Sequence, residues 1–339
     1  MSDQQIQNVL VLGATGSAGP AIVEALKTHP QNFNISIVTR PSSLQNTRAI
    51  FPDESIKIFA VDYSSPQLSP EIFKQAFENQ HAIISATATF TVTQQLAIID
   101  AALASGSIQR FIPSEFGVDS SEVELLKENL PIVLLKTEVV NYLKQHEDKI
   151  SWSAICCGLF FDWGFTYPGL FAWDLPARTA IIFDGGDIEY EATTIKQLGR
   201  SVANSISSTP SPGFFDGTGK GQPMFELTKN KYVYVHSFAP TQNAVLSLLE
   251  AEVGENFTVT HVKGKEYAGE AKRRAEKSTP NFVPSRNSDY ADGVTELVTA
   301  AMYGGQLNQF GKKKGLWNLA LDLPEENLEN IVKTIVKGV

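Results

Sequence analysis

Three glycines, Gly13, Gly16 and Gly19, stand in the run Gly13-Ala14-Thr15-Gly16-Ser17-Ala18-Gly19. Val9-Leu10-Val11-Leu12 precedes the run as a continuous apolar stretch, the pattern of a strand buried on both faces. An apolar-periodic stretch, Pro20 to Leu26, follows it and reads as a helix. The spacing is G-x-x-G-x-x-G rather than the more familiar G-x-G-x-x-G. Without side chains the loop can turn tightly, and its backbone N–H groups can approach a pyrophosphate while the helix N-terminus faces the negative charge. A glycine triplet alone can be no more than a turn. Between a strand and a helix it marks a dinucleotide site, with Gly13, Thr15, Gly16, Ser17 and Gly19 as its cofactor-binding residues.

Further candidates follow the other strand-like runs. Ile35 to Val38 ends in Thr39-Arg40-Pro41. A free ribose 2′-hydroxyl usually meets Asp or Glu there, whereas Arg40 suits the 2′-phosphate of NADP. Its guanidinium offers a rigid fork of donors to phosphate oxygens. A solvated surface arginine is the plain alternative, and for Arg48 it is the favoured one. Asp62 follows Ile56 to Val61, where it meets the adenine or serves as a turn residue. Thr87 and Ala88 follow His81 to Ser85, and their small size leaves room for a cofactor over the strand ends.

The acid–base candidate is Lys136. A helix from Leu130 to His146, with Pro131 at its first position, places Leu143, Val140, Ile132, Val139 and Val133 all within about 60° of Lys136. Glu138, Asn141 and Gln145 fall on the opposite side. A lysine inside an apolar stripe loses solvation, which lowers its pKa toward the range useful for proton transfer. The alternative is a lysine whose stem packs and whose ammonium reaches water.

Other chemistries lack their residues. None of the nine tyrosines is followed four positions later by lysine. The histidines His29, His81, His146, His236 and His261 are scattered and read as surface or structural. Neither a nucleophile elbow G-x-S-x-G nor a phosphate loop G-x-x-x-x-G-K-[ST] is present. Cys156 and Cys157 are adjacent and the only cysteines, so neither a disulfide nor a metal cluster is expected, and the setting reads as reducing and cytoplasmic.

These residues need a scaffold of a particular kind. The 339 residues suggest two domains or one elaborated one. Runs resembling strands and helices alternate through the first half, adding a helix at Glu71 to Phe77, a helix at Thr93 to Ala104, and strands at Arg110 to Ile112 and Trp152 to Cys156. That rhythm predicts an α/β fold, a doubly wound parallel sheet of Rossmann type. The expected organisation is a dinucleotide-binding domain over 1–157 and a smaller α+β substrate-binding region over 158–339, with interleaving of the two left open. In the second region, helices are expected at Thr194 to Ile206, Thr241 to Val253, Glu266 to Glu276 and Glu325 to Val336. Short strands are expected at Val233 to His236 and Phe257 to Val262, and a Ser/Pro/Gly-rich loop at Ser208 to Gly221. A net charge of −9 disfavours nucleic acid and anionic membranes as partners. Lys272-Arg273-Arg274 therefore reads as a solvated face, and Lys312-Lys313-Lys314, between Gly311 and Gly315, as an exposed loop. The longest nearly apolar run, Ile150 to Phe161, is too short to span a bilayer.

Gly13 to Gly19, Arg40-Pro41, the segment Arg110-Phe111-Ile112-Pro113-Ser114-Glu115-Phe116-Gly117 and Lys136 together resemble the NmrA-like and isoflavone reductase-like atypical short-chain dehydrogenases. The Arg110 to Gly117 segment is the more specific marker, and Trp152 to Gly164 is most similar to the fungal members. The resemblance implies NADPH held by the glycine loop and Arg40, and Lys136 as the acid–base residue. It also implies hydride transfer to a carbon conjugated with an aromatic or carbonyl group of a small molecule. The nicotinamide would lie near Phe116, Gly158 and Phe160, and Phe116, Phe161, Trp163 and Tyr167, with Phe165, would wall the substrate pocket. Core packing is the equal alternative for each aromatic. Two other roles occur on such a scaffold: an NAD(P)-sensing regulator without turnover, and a non-redox isomerase or lyase. A homodimer is left open.

Overall fold

The computed structural model describes residues 5–63, 68–88, 94–215, 221–278 and 293–338. Strand and helix alternate from the start: β1 (Asn8–Leu12), α1 (Gly19–Thr28), β2 (Asn34–Thr39), α2 (Leu44–Ile50), β3 (Lys57–Ala60), α3 (Lys74–Phe77) and β4 (Ala82–Ser85). They continue with α4 (Gln94–Ser105), β5 (Arg110–Ile112), α5 (Val123–Asn129), α6 (Leu134–Lys144) and β6 (Ser151–Cys156). Then come β7 (Leu159–Phe160), β8 (Trp173–Asp174), β9 (Thr179–Phe183), β10 (Ala192–Thr193), α7 (Ile195–Ser205), β11 (Pro210–Phe215), β12 (Gly221–Pro223) and α8 (Met224–Leu227). The last elements are β13 (Lys231–Tyr234), α9 (Gln242–Val253), β14 (Thr258–Val262), α10 (Gly264–Ser278), α11 (Val294–Tyr303), α12 (Phe310–Lys314) and α13 (Leu328–Gly338).

Seven strands form one sheet in the order β13-β6-β5-β4-β1-β2-β3, and every pairing in it is parallel. A parallel sheet must be covered on both faces, and the alternation along β1 shows how. Val9 and Val11 pack with Ile22, Val23 and Leu26 of α1 and Leu198 and Val202 of α7. Leu10 and Leu12 point the other way, into Ile98 and Ile99 of α4 and Val139, Val140 and Leu143 of α6. A second core lies beyond the sheet, where β14-β9-β8 packs with α9, α10, α11 and α13.

Several expectations about the second half need correction. The segment Ser208 to Gly221 is not a plain loop: β11 and β12 pair antiparallel, with Pro210 opposite Pro223 and Phe215 opposite Gly221. A two-stranded ribbon consists only of edges, where proline is tolerated. Lys312-Lys313-Lys314 is exposed as expected but is helical rather than a loop. It forms the turn of α12, and Lys314 reaches in to the buried carboxylate of Asp119 and to Glu122 at 2.7 Å. The stretch that read as the strand Val233 to His236 is the edge strand β13, which pairs with β6 and so returns to complete the first sheet. The C-terminal part follows it there: Trp317 N donates to Tyr234 O at 2.8 Å, and Leu321 is buried in the sheet core. No helix among the described residues is long and apolar enough to cross a membrane.

Candidate active site

The strand order reverses at β1, whose neighbours are β2 on one side and β4 on the other. In open α/β sheets the crevice for a ligand opens at the carboxyl ends of the strands that flank such a reversal. The loop Gly13 to Gly19 occupies that place after β1, and Ala86 to Ala88 occupies it after β4. The two are in contact: Ala86 N donates to Leu12 O at 2.8 Å, and a Cβ on Gly13 would stand 2.3 Å from Ala86 O. With φ at +75°, Gly13 also holds a backbone conformation that side-chain-bearing residues rarely adopt.

The loop closes on itself through Gly16 N to Gly13 O at 2.9 Å and Gly19 N to Gly16 O at 3.2 Å. It delivers the chain into α1, whose N-cap residue Ala18 makes no side-chain capping bond and whose first turn carries Pro20. An uncapped helix N-terminus behind a glycine loop is the donor set a pyrophosphate takes, so these residues fit a dinucleotide. Gly16, Ser17 and Ala18 open onto a cavity of about 330 Å³. Gly13, Thr15 and Gly19 belong to the same loop but do not line that space.

Thr87, Ala88, Phe116, Gly158, Phe160 and Lys136 all line the cavity, brought together from four separate stretches of chain. Hydrogen bonds fix the stretches to one another. Ser114 N donates to Gln95 Oε1 at 2.9 Å, and Ser114 Oγ donates to Thr87 O at 2.7 Å. Cys157 N and Gly158 N both donate to Gly117 O, at 3.1 and 2.9 Å. At Gly158, with φ of +67°, a Cβ would meet Glu191 O at 2.2 Å, so only glycine passes there.

Lys136 sits where periodicity puts it. It is 8% exposed on the face of α6 that also buries Val139, Val140 and Leu143, while Glu138, Asn141 and Gln145 are exposed. Its Nζ donates to Glu115 O at 2.6 Å. Burial pulls its pKa down from the ordinary lysine value, opposed by the nearby Glu115 carboxyl and by Cys157 and Cys156. The same burial pushes the Cys157 thiol up to about 12, so at neutral pH it is not a thiolate nucleophile. Among the described residues lining the cavity, Lys136 is the one titratable side chain.

The aromatic wall differs from expectation. Trp163 lines the cavity, with its ring edge-on to Phe160 at 6.2 Å between centroids and to Phe171 at 6.1 Å. Phe161 does not line it. That side chain is 1% exposed and packs edge-on against Phe165 and Phe238 in the second core. Successive residues of an extended segment face opposite ways, so Phe160 and Phe161 cannot both face the cavity. Tyr167 is 59% exposed and only touches Trp163 from outside. Arg40 and Asp62 are exposed at the carboxyl ends of β2 and β3, on the rim of the sheet outside this cavity. Arg40 is close enough to Tyr63 for its charge to act on the phenol.

Sequence reasoning missed one whole wall. Val294, Thr295, Val298 and Met302 of α11 close the far side, and Leu170 and Phe171 join them. Phe171 and Ala172 hold positive φ, +50° and +73°, so this wall includes strained backbone. None of the five histidines lines the cavity. His81 and His29, for instance, accept backbone N–H bonds from Gln7 and Gln31, each at 3.0 Å.

Comparison with known proteins agrees with this architecture. The oxidoreductase aprR of Aspergillus flavus is 29% identical over 332 residues, covering 97% of this chain and 99% of that protein. The isoflavone reductase homolog A622 of Nicotiana tabacum is 26% identical over 180 residues, 52% of this chain and 56% of that protein. Among solved structures, the leucoanthocyanidin reductase–NADPH complex of Vitis vinifera superposes with a TM-score of 0.71 at 19% identity. It covers 97% of this chain and 99% of the other. AtPrR2 with NADP+ and (+)pinoresinol gives 0.70 at 18% identity, with 98% and 99% covered. The model of the NmrA-like family matches residues 5–181, which hold the glycine loop, the strand-order reversal and Lys136, and the chain belongs to that family.

Proposed function

We propose that the protein is an NADPH-dependent reductase acting on an aromatic or otherwise conjugated small molecule, with Lys136 as its general acid–base residue. The observation that carries this reading is the cavity itself. Among the described residues, one titratable amine stands in an otherwise apolar and hydroxylic space that also receives the glycine loop. The Gly13 to Gly19 loop and the N-terminus of α1 would hold the pyrophosphate of NADPH, Arg40 its 2′-phosphate, and Asp62 the adenine side. Thr87, Ala88, Phe116, Gly158 and Phe160 would hold its inner half. When bound, the cofactor supplies the hydride.

The rest is done by the chain. Phe160, Trp163 and Phe171 offer ring faces and edges to a flat substrate. Val133, Val294, Val298 and Met302 exclude water, which strengthens every charge interaction at Lys136. Lys136 holds a proton at Nζ and releases it to a substrate oxygen as negative charge develops there. The oxidoreductase name of the fungal relative and the reductases among the structural neighbours support this reading, as does the pinoresinol bound in one of them.

The test is NADPH consumption by the purified protein across a panel of conjugated aromatic ketones, ethers and quinone methides. Consumption should match reduced product one for one. Saturable NADPH binding with no consumption across the panel would instead indicate a sensor, and product without consumption a non-redox enzyme.

A further inference from the structure

Glu115 stands between Ser114 and Phe116, both of which line the cavity, yet its own side chain turns inward. It is 1% exposed, and among the described residues neither carboxyl oxygen meets a donor in good hydrogen-bond geometry, the Ser120 hydroxyl being near enough only to act on it. The Glu115 backbone carbonyl accepts a bond from Lys136 Nζ of α6 at 2.6 Å, which holds the amine within one residue's reach of the carboxyl, near enough for each charge to act on the other without direct contact. A buried carboxyl so sparsely supplied with donors is costly, and a fold that needed only the loop would be served as well by an apolar side chain.

The other titratable groups around it are accounted for. Cys156 and Cys157 of β6 and Tyr232 and Tyr234 of β13 are all pushed upward by burial and stay neutral. Asp119, on the same loop, accepts from Ser121 N at 2.9 Å and Ser121 Oγ at 2.6 Å, and pairs with Lys314. The Ser120 hydroxyl is directed at Tyr232 Oη at 3.3 Å. Burial raises the pKa of Glu115, the Lys136 charge is the strongest influence opposing the rise and the Ser120 hydroxyl the next, while the like charge of Asp119 adds to it.

Two such groups in a dry interior titrate as a unit. With no proton the pair carries one negative charge, and with two protons one positive charge. With one proton it is neutral overall, whichever atom holds it. The interior penalises both charged forms, so the one-proton form spans a wide pH range.

We propose that Glu115 is the positioning residue whose buried carboxylate holds a proton on Lys136 at the cavity wall, at pH values where a lone buried amine would have lost it. This deepens the acid–base reading of Lys136 and rests on it. In turnover an N–H bond of Lys136 breaks as the substrate O–H bond forms. The pair is left with one negative charge, and one proton from solvent restores it.

The first test is the pH profile of kcat in Glu115→Gln, which keeps the shape and removes the charge. Without the carboxylate the amine titrates lower. The alkaline limb should therefore move down by about one pH unit or more, roughly a tenfold loss at the alkaline end. The acid side and NADPH affinity should stay near wild type, and Glu115→Asp should bring the limb back up. A profile that superimposes on wild type, or a loss by the same factor at every pH, would overturn the proposal.

Should Glu115→Gln fail to fold, the ¹³C resonance of the Glu115 carboxyl serves instead, compared between the wild type and Lys136→Met without any turnover. In Lys136→Met the carboxyl should remain protonated to higher pH. Identical titrations in the two proteins would refute the coupling. Full turnover in Lys136→Met would remove the acid–base reading while leaving the carboxyl shift in place, so the two failures are distinguishable.

Discussion

Lys136→Met separates chemistry from architecture. Methionine keeps the length of the apolar stem among Val133, Val139 and Val140 and omits the terminal nitrogen, so no sizeable cavity opens. Two stability effects oppose each other. The bond to Glu115 O at 2.6 Å is lost, and hydrogen bonds to charged groups contribute about 1.5–3 kcal/mol. The cost of holding an amine in a dry site is lost with it. Net stability should change by less than about 2 kcal/mol, a few degrees at most for a chain of this size. The rate should change far more. A positioned general acid contributes roughly 10²–10⁴-fold, or about 3–5 kcal/mol of barrier. NADPH consumption at saturating acceptor measures the second quantity. Thermal unfolding measures the first, and quenching of the intrinsic tryptophan fluorescence on NADPH titration reports cofactor affinity. Turnover within fivefold of wild type would refute the role of Lys136. A tenfold loss of NADPH affinity with kcat preserved would reassign it to binding.

Three further outcomes are expected. Arg40→Ala should weaken NADPH roughly 10–100-fold, the value of a charge-assisted phosphate contact, and leave NADH unchanged in parallel titrations. Equal losses for both would remove the 2′-phosphate contact. Gly164→Ala would place a methyl 2.7 Å from the ring of Phe171, whose backbone already sits at φ +50° and has little freedom to yield. The ring should swing into the cavity and raise KM for bulky acceptors while NADPH affinity stays constant, and an unchanged KM would contradict the wall assigned to Phe171. Lys314→Met leaves the buried Asp119 carboxylate without its cation. Denaturant unfolding should show a loss of about 3 kcal/mol, with Glu122 unable to compensate.

The parts of this fold that show in the sequence are those whose local pattern and global role agree. The run Val9 to Leu12 could only be a doubly buried strand, and the position of Lys136 among Val139, Val140 and Leu143 follows from the helical repeat alone. Helix α11 did not show, because Val294, Leu297, Ala300, Ala301, Met302 and Tyr303 are buried around most of its circumference, which leaves no polar face to mark a period. Phe161 was misread because an aromatic cluster gives no phase, whereas the two-residue alternation of an extended segment sends Phe160 to the cavity and Phe161 to the core. The burial of the Glu115 carboxyl is a property of the loop after β5, whose end is fixed by bonds from Cys157 and Gly158 to Gly117, and no spacing rule encodes it.

The position of β13 at the sheet edge has a consequence for how the chain is made. β6 meets β5 only through Arg110–Ser151 and Phe111–Trp152, while Ser153, Ala154, Ile155 and Cys156 all face β13. The guanidinium of Arg110 likewise depends on Thr228 and the carbonyl of Phe225 just upstream of β13. A nascent chain that has emerged only as far as residue 157 therefore presents an open strand edge, and an arginine held by Ser151 and Ser153 whose remaining donors face water until Phe225 and Thr228 arrive. A cofactor half cut at residue 157 would lack the partner strand of β6, and synthesis leaves an interval, from residue 157 to residue 234, during which that edge stands open.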